Sequence, residues 1–157
     1  MNILITIVLA LAGLIALLLI LGLFSKKGYT IERAIAINKP KPEVFNYIKL
    51  LKNQDYYSKW VMTDPSMKKV FTGSDGTAGF IYAWDSTDKN AGKGEQEIKR
   101  IVEGDNVEME IRFERPFKGV SQATLSTENA GAQTNVKWVF SSQVKYPHEH
   151  YDAVHQF

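Results

Sequence analysis

Alternating apolar and polar positions recur along most of the chain and predict a series of β-strands. The clearest case is 107–115, where Val107, Met109, Ile111 and Phe113 face one way and charged residues face the other. A period of two with one apolar face is typical of a half-buried antiparallel strand. By the same reasoning we predict strands over residues 29–38, 67–72, 79–85, 95–102, 120–127 and 134–143, each bounded by turn-forming residues.

Helical spacing interrupts this alternation after the first strand. Val44, Phe45 and Ile48 recur at the spacing of one helix face, directly after Pro42. Proline is favoured in the first turn of a helix, because its missing amide proton would have no partner there. We therefore predict a helix here, and residues 56–60 are typical of a second short helical turn or an aromatic loop. The order of elements indicates an α+β fold, a curved antiparallel sheet with helices on one side.

The N-terminus has a different pattern, because residues 3–24 contain no charged side chain. At about 1.5 Å per residue, a helix of this length measures about 33 Å, enough to cross a hydrocarbon core of roughly 30 Å. We predict a transmembrane anchor over residues 1–25. A cleaved signal peptide is disfavoured, because no basic residue precedes the run and no small-x-small cleavage site follows it.

Basic residues follow the apolar run and predict its orientation in the membrane. Only Glu32 opposes the nearby cations, which are Lys26, Lys27, Arg33, Lys39 and Lys41. Positive charge tends to stay in the cytoplasm, so we expect the N-terminus outside and the domain on the cytoplasmic side. Lys26 and Lys27 are expected to meet anionic headgroups of the bilayer. Residues 26–28 then form a juxtamembrane linker, and 29–157 form a single domain.

Composition excludes several classes of function. The formal net charge of +2 is too small to indicate nucleic-acid binding. Without cysteine there is no disulfide, no thiolate nucleophile and no cysteine-ligated metal site. The sequence also lacks the Gly-x-Ser-x-Gly, phosphate-loop, dinucleotide and His-Glu-x-x-His motifs. We expect no cofactor, and the pattern leaves the oligomeric state open.

Several motifs resemble the START/Bet v 1-like superfamily, also called SRPBCC or polyketide cyclase/dehydrase-like. They are residues 35–40 followed by Val44 and Phe45, then 57–60, 92–95, 113–117 and 134–138. The resemblance covers roughly residues 29–147. Within the superfamily, the chain is similar to bacterial, membrane-anchored members. It implies a helix-grip fold, in which a seven-stranded sheet wraps around a long C-terminal helix. A hydrophobic cavity between them binds lipids, sterols or polyketides in various members.

The chain departs from this family pattern at its C-terminal end. Only residues 148–157 follow Pro147, where the family carries a helix of about twenty residues or more. We expect a truncated C-terminal helix, or a groove that a partner or the bilayer closes. The cluster of His148, Glu149, His150 and His155 has poor spacing for a helical metal site, which needs ligands four residues apart. We therefore expect no metal.

The residues expected to line the cavity share an aromatic or apolar side chain on a predicted inner face. They are Trp60, Phe80, Tyr82, Trp84, Met109, Ile111, Phe113 and Trp138. For each of them taken singly, core packing alone is the default explanation, and the expectation is that some of them line a cavity.

Three charged residues are candidate polar groups of the cavity. Arg33 stands on the apolar face of its strand, where it could bind a ligand carboxylate. Its place near the start of the strand favours the alternative, in which it reaches solvent or lipid headgroups. Glu95 and Glu97 share one strand face and either form a general acid/base pair in the cavity or lie on a wet outer face beside Lys99. The second reading of the glutamates is favoured, because the inward face of that strand is ambiguous.

The leading hypothesis is a membrane-tethered domain that binds a hydrophobic or lipid-like small molecule. One alternative is a polyketide cyclase-like or hydrolase-like enzyme that uses cavity carboxylates. Another is a regulatory protein-interaction module with a filled core and no ligand.

Overall fold

A computed structural model of the chain describes residues 2–23 and 28–143, without the side chains of Leu4, Thr6 and residues 21–23. It divides into two compact units. In the first unit, helix α1 spans Ile3–Leu23, and its large apolar side chains are exposed where they are described. Counting the described residues only, no helix was found to be both long and apolar enough to cross a membrane. The expected anchor over residues 1–25 stays a prediction, and Lys26, Lys27 and residues 144–157 lie outside the described residues.

The second unit is built on a sheet of seven antiparallel strands in the order β1-β7-β6-β5-β4-β3-β2. The strands are β1 Gly28–Ile37, β2 Lys68–Thr72, β3 Ile81–Asp85, β4 Lys93–Val102, β5 Asn106–Arg115, β6 Gly119–Ala130 and β7 Gln133–Gln143. Every strand expected from the alternating pattern is present, with differences only at the ends. The α+β fold with a seven-stranded antiparallel sheet is therefore confirmed.

Short helical segments connect β1 to β2. Helix α2 spans Lys41–Ile48 and carries Pro42 in its first turn, as predicted. A 3-10 turn, Leu51–Asn53, leads into α3, Gln54–Tyr57, and a second 3-10 turn covers Val61–Thr63. Residues 56–60 were expected to form a short helical turn or an aromatic loop, and α3 includes only Tyr56 and Tyr57 of them, because Ser58 is extended (φ −81°, ψ 108°) and ends the helix.

Strand register defines two faces of the sheet. Tyr82 lies opposite Gln96, Gln96 opposite Ile111, and Ile111 opposite Ser121, so these residues share what we call the inner face. Helix α2 packs on this face over β6 and β7, with Val44, Phe45 and Ile48 buried. The core therefore lies between the inner face and the helical segments.

The strands end at two opposite edges of the sheet, which we call the entry end and the far end. At the entry end, Gly28 of β1 lies opposite Gln143, and Asp85, Lys93 and Arg115 are aligned across β3, β4 and β5. At the far end lie the β2–β3, β4–β5 and β6–β7 turns. The first residue of β1, Gly28, lies at the entry end.

Trp84 lies flat against the backbone of β4 because its neighbour across the strand is Gly94. A Cβ at Gly94 would stand 2.8 Å from a carbon of the Trp84 ring and would also collide with the carbonyl oxygen of Arg112. Trp84 Nε1 donates a 3.0 Å hydrogen bond to the carbonyl of Ala91, which fixes the ring at this place. Glycine is therefore required at position 94 because it lets the indole approach closely, and not because its backbone is conformationally free.

We expect Gly94→Ala to lower the free energy of unfolding by about 1–3 kcal/mol, since overpacking forces a buried ring and the backbone apart. Urea denaturation followed by tryptophan fluorescence measures this change. Gly119→Ala is the matched control, because a Cβ there meets nothing within 4 Å. Equal stability of the two variants would contradict the packing role of Gly94.

Candidate functional site

The inner face forms a groove, and the helical segments fill one part of it. Phe80, Tyr82, Trp84 and Met109 lie in this part and are at most 2% exposed. These four residues were expected to line a cavity, but the structure places them in the packed core.

Four further residues expected in the cavity lie at the boundary of the filled part. Trp60, Ile111, Phe113 and Trp138 are partly buried and pack against the core cluster. The ring of Trp60 meets that of Trp84 edge-on, with centroids 4.6 Å apart, and Phe113 meets Trp84 at 6.0 Å. Each of these side chains keeps some surface for contact with another molecule.

The groove is open near the entry end, over β1 and β7. We call four residues there the apolar strip: Tyr29 and Ile31, which are exposed, and Trp138 and Phe140, which are partly buried. Tyr29 is 52% and Ile31 36% exposed. The Phe140 ring stacks on Trp138 with centroids 5.7 Å apart and contacts Tyr29 at 6.1 Å. Tyr29, Ile31 and Phe140 were not predicted as site residues. Alternation predicts on which face of the sheet they lie, but it does not predict whether a helix covers that face.

Arg33 brings a cation to this apolar surface. It lies opposite Trp138 in the register, so its side chain leaves the inner face beside Ile31. Its Nη1 donates a 2.9 Å hydrogen bond to the carbonyl of Glu32. The guanidinium makes no ion pair within residues 28–143 that the structure describes. Among these residues, no carboxylate accepts the remaining guanidinium donors of Arg33 at the edge of the groove.

Glu95 and Glu97 lie on the outer face, which corrects the reading that places them in the cavity. The strand register sets them opposite Arg112 and Glu110, on the side away from Gln96 and Ile98. Arg112 donates hydrogen bonds to Glu95 at 2.7 Å and to Glu97 at 2.8 Å. The two carboxylates are therefore neutralised outside the groove, and the acid/base pair proposed for an enzyme has no place inside it.

The outer-face cluster extends to further charged residues. Arg112 also donates to Glu110 at 2.6 Å, and Lys99 pairs with Glu97 at 3.1 Å. The hydrogen bond from Arg112, with help from Lys99, holds the pKa of Glu97 below its usual range. The cluster thus links β4 and β5 through one guanidinium among three carboxylates.

We expect Arg112→Gln to destabilise the domain by about 1–3 kcal/mol at pH 7, since three carboxylates lose their shared cation. The pKa of Glu97 is depressed in the folded state, so ionised Glu97 adds to the free energy of unfolding at neutral pH. Wild-type protein should lose this contribution as the pH falls below the ordinary carboxyl pKa of 4.5. In the variant these carboxylates repel one another, so the difference between the two proteins should shrink towards pH 4. Urea denaturation at pH 7, 5.5 and 4 measures it.

Arg100→Gln is the control for this series, because it breaks the exposed pair of Arg100 with Glu108 on the same strands. We expect it to leave stability nearly unchanged at every pH. A variant of Arg112 that behaves like this control would show that the cluster is not structural.

A second set of polar contacts ties α3 to β2 and β3 at the groove margin. The Tyr82 hydroxyl donates to Asp55 at 2.9 Å, and Lys69 pairs with the other oxygen of Asp55, also at 2.9 Å. Burial, followed by the bond to Asp55, raises the pKa of Tyr82 well above its usual value. Tyr82 therefore stays protonated and acts as a structural donor.

A shallow pocket of about 290 Å³ lies outside the groove. Ala34 and Ala36 of β1 line it together with Lys137 and Asn135, which face them across β7 on the outer side. Ile35 and Glu128 complete its lining, which includes no aromatic side chain. The groove with its apolar strip and Arg33 is therefore the better candidate site, since it combines apolar surface with one charged group.

Comparisons with known proteins bear on the fold. No family model and no curated protein matches the sequence. Ara h 8.0201 matches with a TM-score of 0.56 and 14% identity, covering 78% of this chain and 81% of that one. Truncated norcoclaurine synthase from Thalictrum flavum matches with a TM-score of 0.59 and 11% identity, covering 75% of this chain and 76% of that one.

CalU16 from Micromonospora echinospora also matches, with a TM-score of 0.51 and 15% identity over 74% of this chain. The chain spans 62% of the length of CalU16. Identities this low establish the fold alone. The domain thus has the curved α+β fold of Bet v 1-like and polyketide cyclase-like proteins.

Proposed function

We propose that the domain binds an apolar or lipid-like small molecule in the open part of the groove. The observation that carries this proposal is the apolar strip, in which Tyr29 and Ile31 are 52% and 36% exposed on a face that elsewhere forms the core. Contiguous apolar surface of this kind is characteristic of binding grooves. Its neighbours Trp138 and Phe140 present stacked rings that suit a flat or chain-like apolar molecule.

The positive charge of Arg33 indicates that the proposed ligand has an anionic end. A guanidinium binds carboxylate or phosphate oxygens through parallel hydrogen bonds, and such bonds are about twice as strong as neutral ones. The position of Arg33 opposite Trp138 sets the charge beside the strip. A molecule with an apolar body and one acidic group therefore fits both features.

We also propose that the N-terminal run holds the domain at a membrane, with the N-terminus outside and the domain in the cytoplasm. Support comes from the uncharged residues 3–24 and the basic residues that follow them. The linker before Gly28 is short, so the domain stays within about 15 Å of the headgroups. A groove at this distance can exchange an amphiphilic ligand with the bilayer.

A fluorescent fatty acid tests ligand binding. cis-Parinaric acid bound in the strip should receive energy from Trp138, and full-length protein in nanodiscs, corrected with empty nanodiscs, gives the affinity. We expect Ile31→Glu to weaken binding at least tenfold, because it puts a charge on the apolar strip. Val120→Glu, an exposed position on the outer face opposite Arg112, should leave binding unchanged.

Arg33→Gln separates the charged contact from the apolar one. It should weaken binding of the acid about tenfold, or about 1.4 kcal/mol, and leave binding of the methyl ester within about twofold. Equal affinities of wild type and both inner-face variants would refute the groove as the binding site.

Flotation of the full-length protein with liposomes in alkaline carbonate tests the tether, since a spanning helix resists extraction and a peripheral protein does not. We expect the protein to float with the lipid. In right-side-out membrane vesicles, added protease should leave the domain intact. Release by carbonate would rule out the anchor, and digestion of the domain would reverse the orientation.

A further inference from the structure

We propose that the entry end of the sheet docks on the bilayer surface, with Phe117 in the β5–β6 turn as an interfacial anchor. This proposal rests on the membrane tether proposed above and adds a second contact between the protein and the lipid. The surface consists of the β5–β6 turn, the β3–β4 loop and the 3-10 turn Val61–Thr63.

Strand register places the β5–β6 turn beside the point where the chain enters the domain. Gly28 lies opposite Gln143 in β7, and Ser142 lies opposite Ser121 in β6. Strands β1 and β6 therefore run in the same direction and begin at the same level, about 10 Å apart across β7. The turn before β6 extends beyond this level, past the end of the sheet at which β1 begins.

Phe117 stands at the tip of this turn with 82% of its surface exposed. Within residues 28–143, Phe117 does not belong to the core cluster, so core packing there does not explain a phenylalanine at this place. Aromatic and basic residues together are typical of segments that lie at the membrane interface, where the ring meets the acyl boundary and the cation meets the headgroups. Lys118 follows Phe117 directly, is exposed, and makes no ion pair among the described residues.

Two further segments reach the same end of the sheet. The β3–β4 loop follows Asp85, which is aligned with Lys93 and Arg115. Trp60 Nε1 donates a 3.2 Å hydrogen bond to the carbonyl of Asn90 in this loop, which holds the neighbouring turn with Met62 beside it. Met62 is 47% exposed and adds a second apolar side chain to the surface.

The distribution of charge favours an anionic surface at this end. Basic residues outnumber acidic ones there: Lys59, Lys68, Lys89, Lys93, Arg115 and Lys118 against Asp64, Asp85, Asp88 and Glu114. At the far end, Glu103 and Asp105 of the β4–β5 turn pair with Lys49 and Lys41, so the acidic and basic residues there are close to balanced. Cations near a bilayer surface are attracted by anionic lipid, so the entry end is the one that faces the membrane.

The absence of cysteine allows a single fluorescent label at a chosen position. Gly119→Cys carries the label next to the turn while Phe117 and Lys118 remain, and a Cβ at Gly119 meets nothing within 4 Å. Ala132→Cys, exposed in the β6–β7 turn, is the matched control at the far end. Both are labelled with nitrobenzoxadiazole on the full-length protein, in phosphatidylcholine liposomes with about a quarter phosphatidylglycerol.

Shallow doxyl-labelled lipid should quench at least half of the fluorescence at position 119 and less than a tenth at position 132. Adding Phe117→Asp to the Gly119→Cys protein should reduce quenching at least threefold, because it removes the interfacial ring. Replacing the anionic lipid with phosphatidylcholine should also reduce it, since the basic residues lose their partner.

Flotation of each sample distinguishes the two proposals. Protein that floats while positions 119 and 132 are equally unquenched overturns docking and leaves the tether intact. Protein that does not float overturns the tether, and docking with it. A label at 119 that shifts to the blue without quenching means that protein covers Phe117, which overturns docking on lipid.

Discussion

Burial of the inner face of the curved sheet is the constraint on which the rest of the structure depends. Two helical segments of modest length, α2 and the turns around α3, supply the cover. They reach across Tyr82, Trp84, Ile98 and Met109, which are buried to 2% exposure or less. Because the Trp84 ring fills the space over Gly94, the core is closely packed at this point. The open surface is displaced towards β1 and β7.

The outer face obeys a different rule, since it is wet and carries paired charges. Arg112 gathers Glu95, Glu97 and Glu110 across β4 and β5. A sheet with one apolar and one charged face cannot slip in register by a single residue, because every side chain would change face. The charged face therefore contributes specificity of pairing as well as modest stability.

The two proposals join at the entry end of the sheet. The apolar strip begins at Tyr29, one residue after the point where β1 starts, and the β5–β6 turn with Phe117 extends past the same level. If this end lies on the bilayer, the strip and Arg33 are close to the lipid from which an amphiphile would come. This placement of the strip and Phe117 at one end follows from the common direction of β1 and β6, and it uses no contact of α1.

Much of the fold was predictable because it rests on local periodicity. The seven strands follow from apolar residues two apart, and α2 follows from Pro42 and the helical spacing of Val44, Phe45 and Ile48. Alternation with a period of two also predicted that Tyr29, Ile31 and Arg33 lie on one face of the sheet. The bounds of the turns near Ser58 were not predictable in this way, because they depend on a single extended residue.

The site was predictable only in part, because coverage is a property of tertiary packing. Phe80, Tyr82, Trp84 and Met109 look like Ile111, Phe113 and Trp138 in the sequence, yet the helical segments bury the first group and leave the second partly exposed. The sequence left the face of Glu95 and Glu97 ambiguous, and only the pairing of β4 with β5 sets them opposite Arg112 and Glu110 on the outer face. Sequence alone determined which residues alternate and where charge is absent. Only the tertiary structure decided which apolar residues stay uncovered and which turns meet at one end, because both depend on contacts between segments distant in the chain.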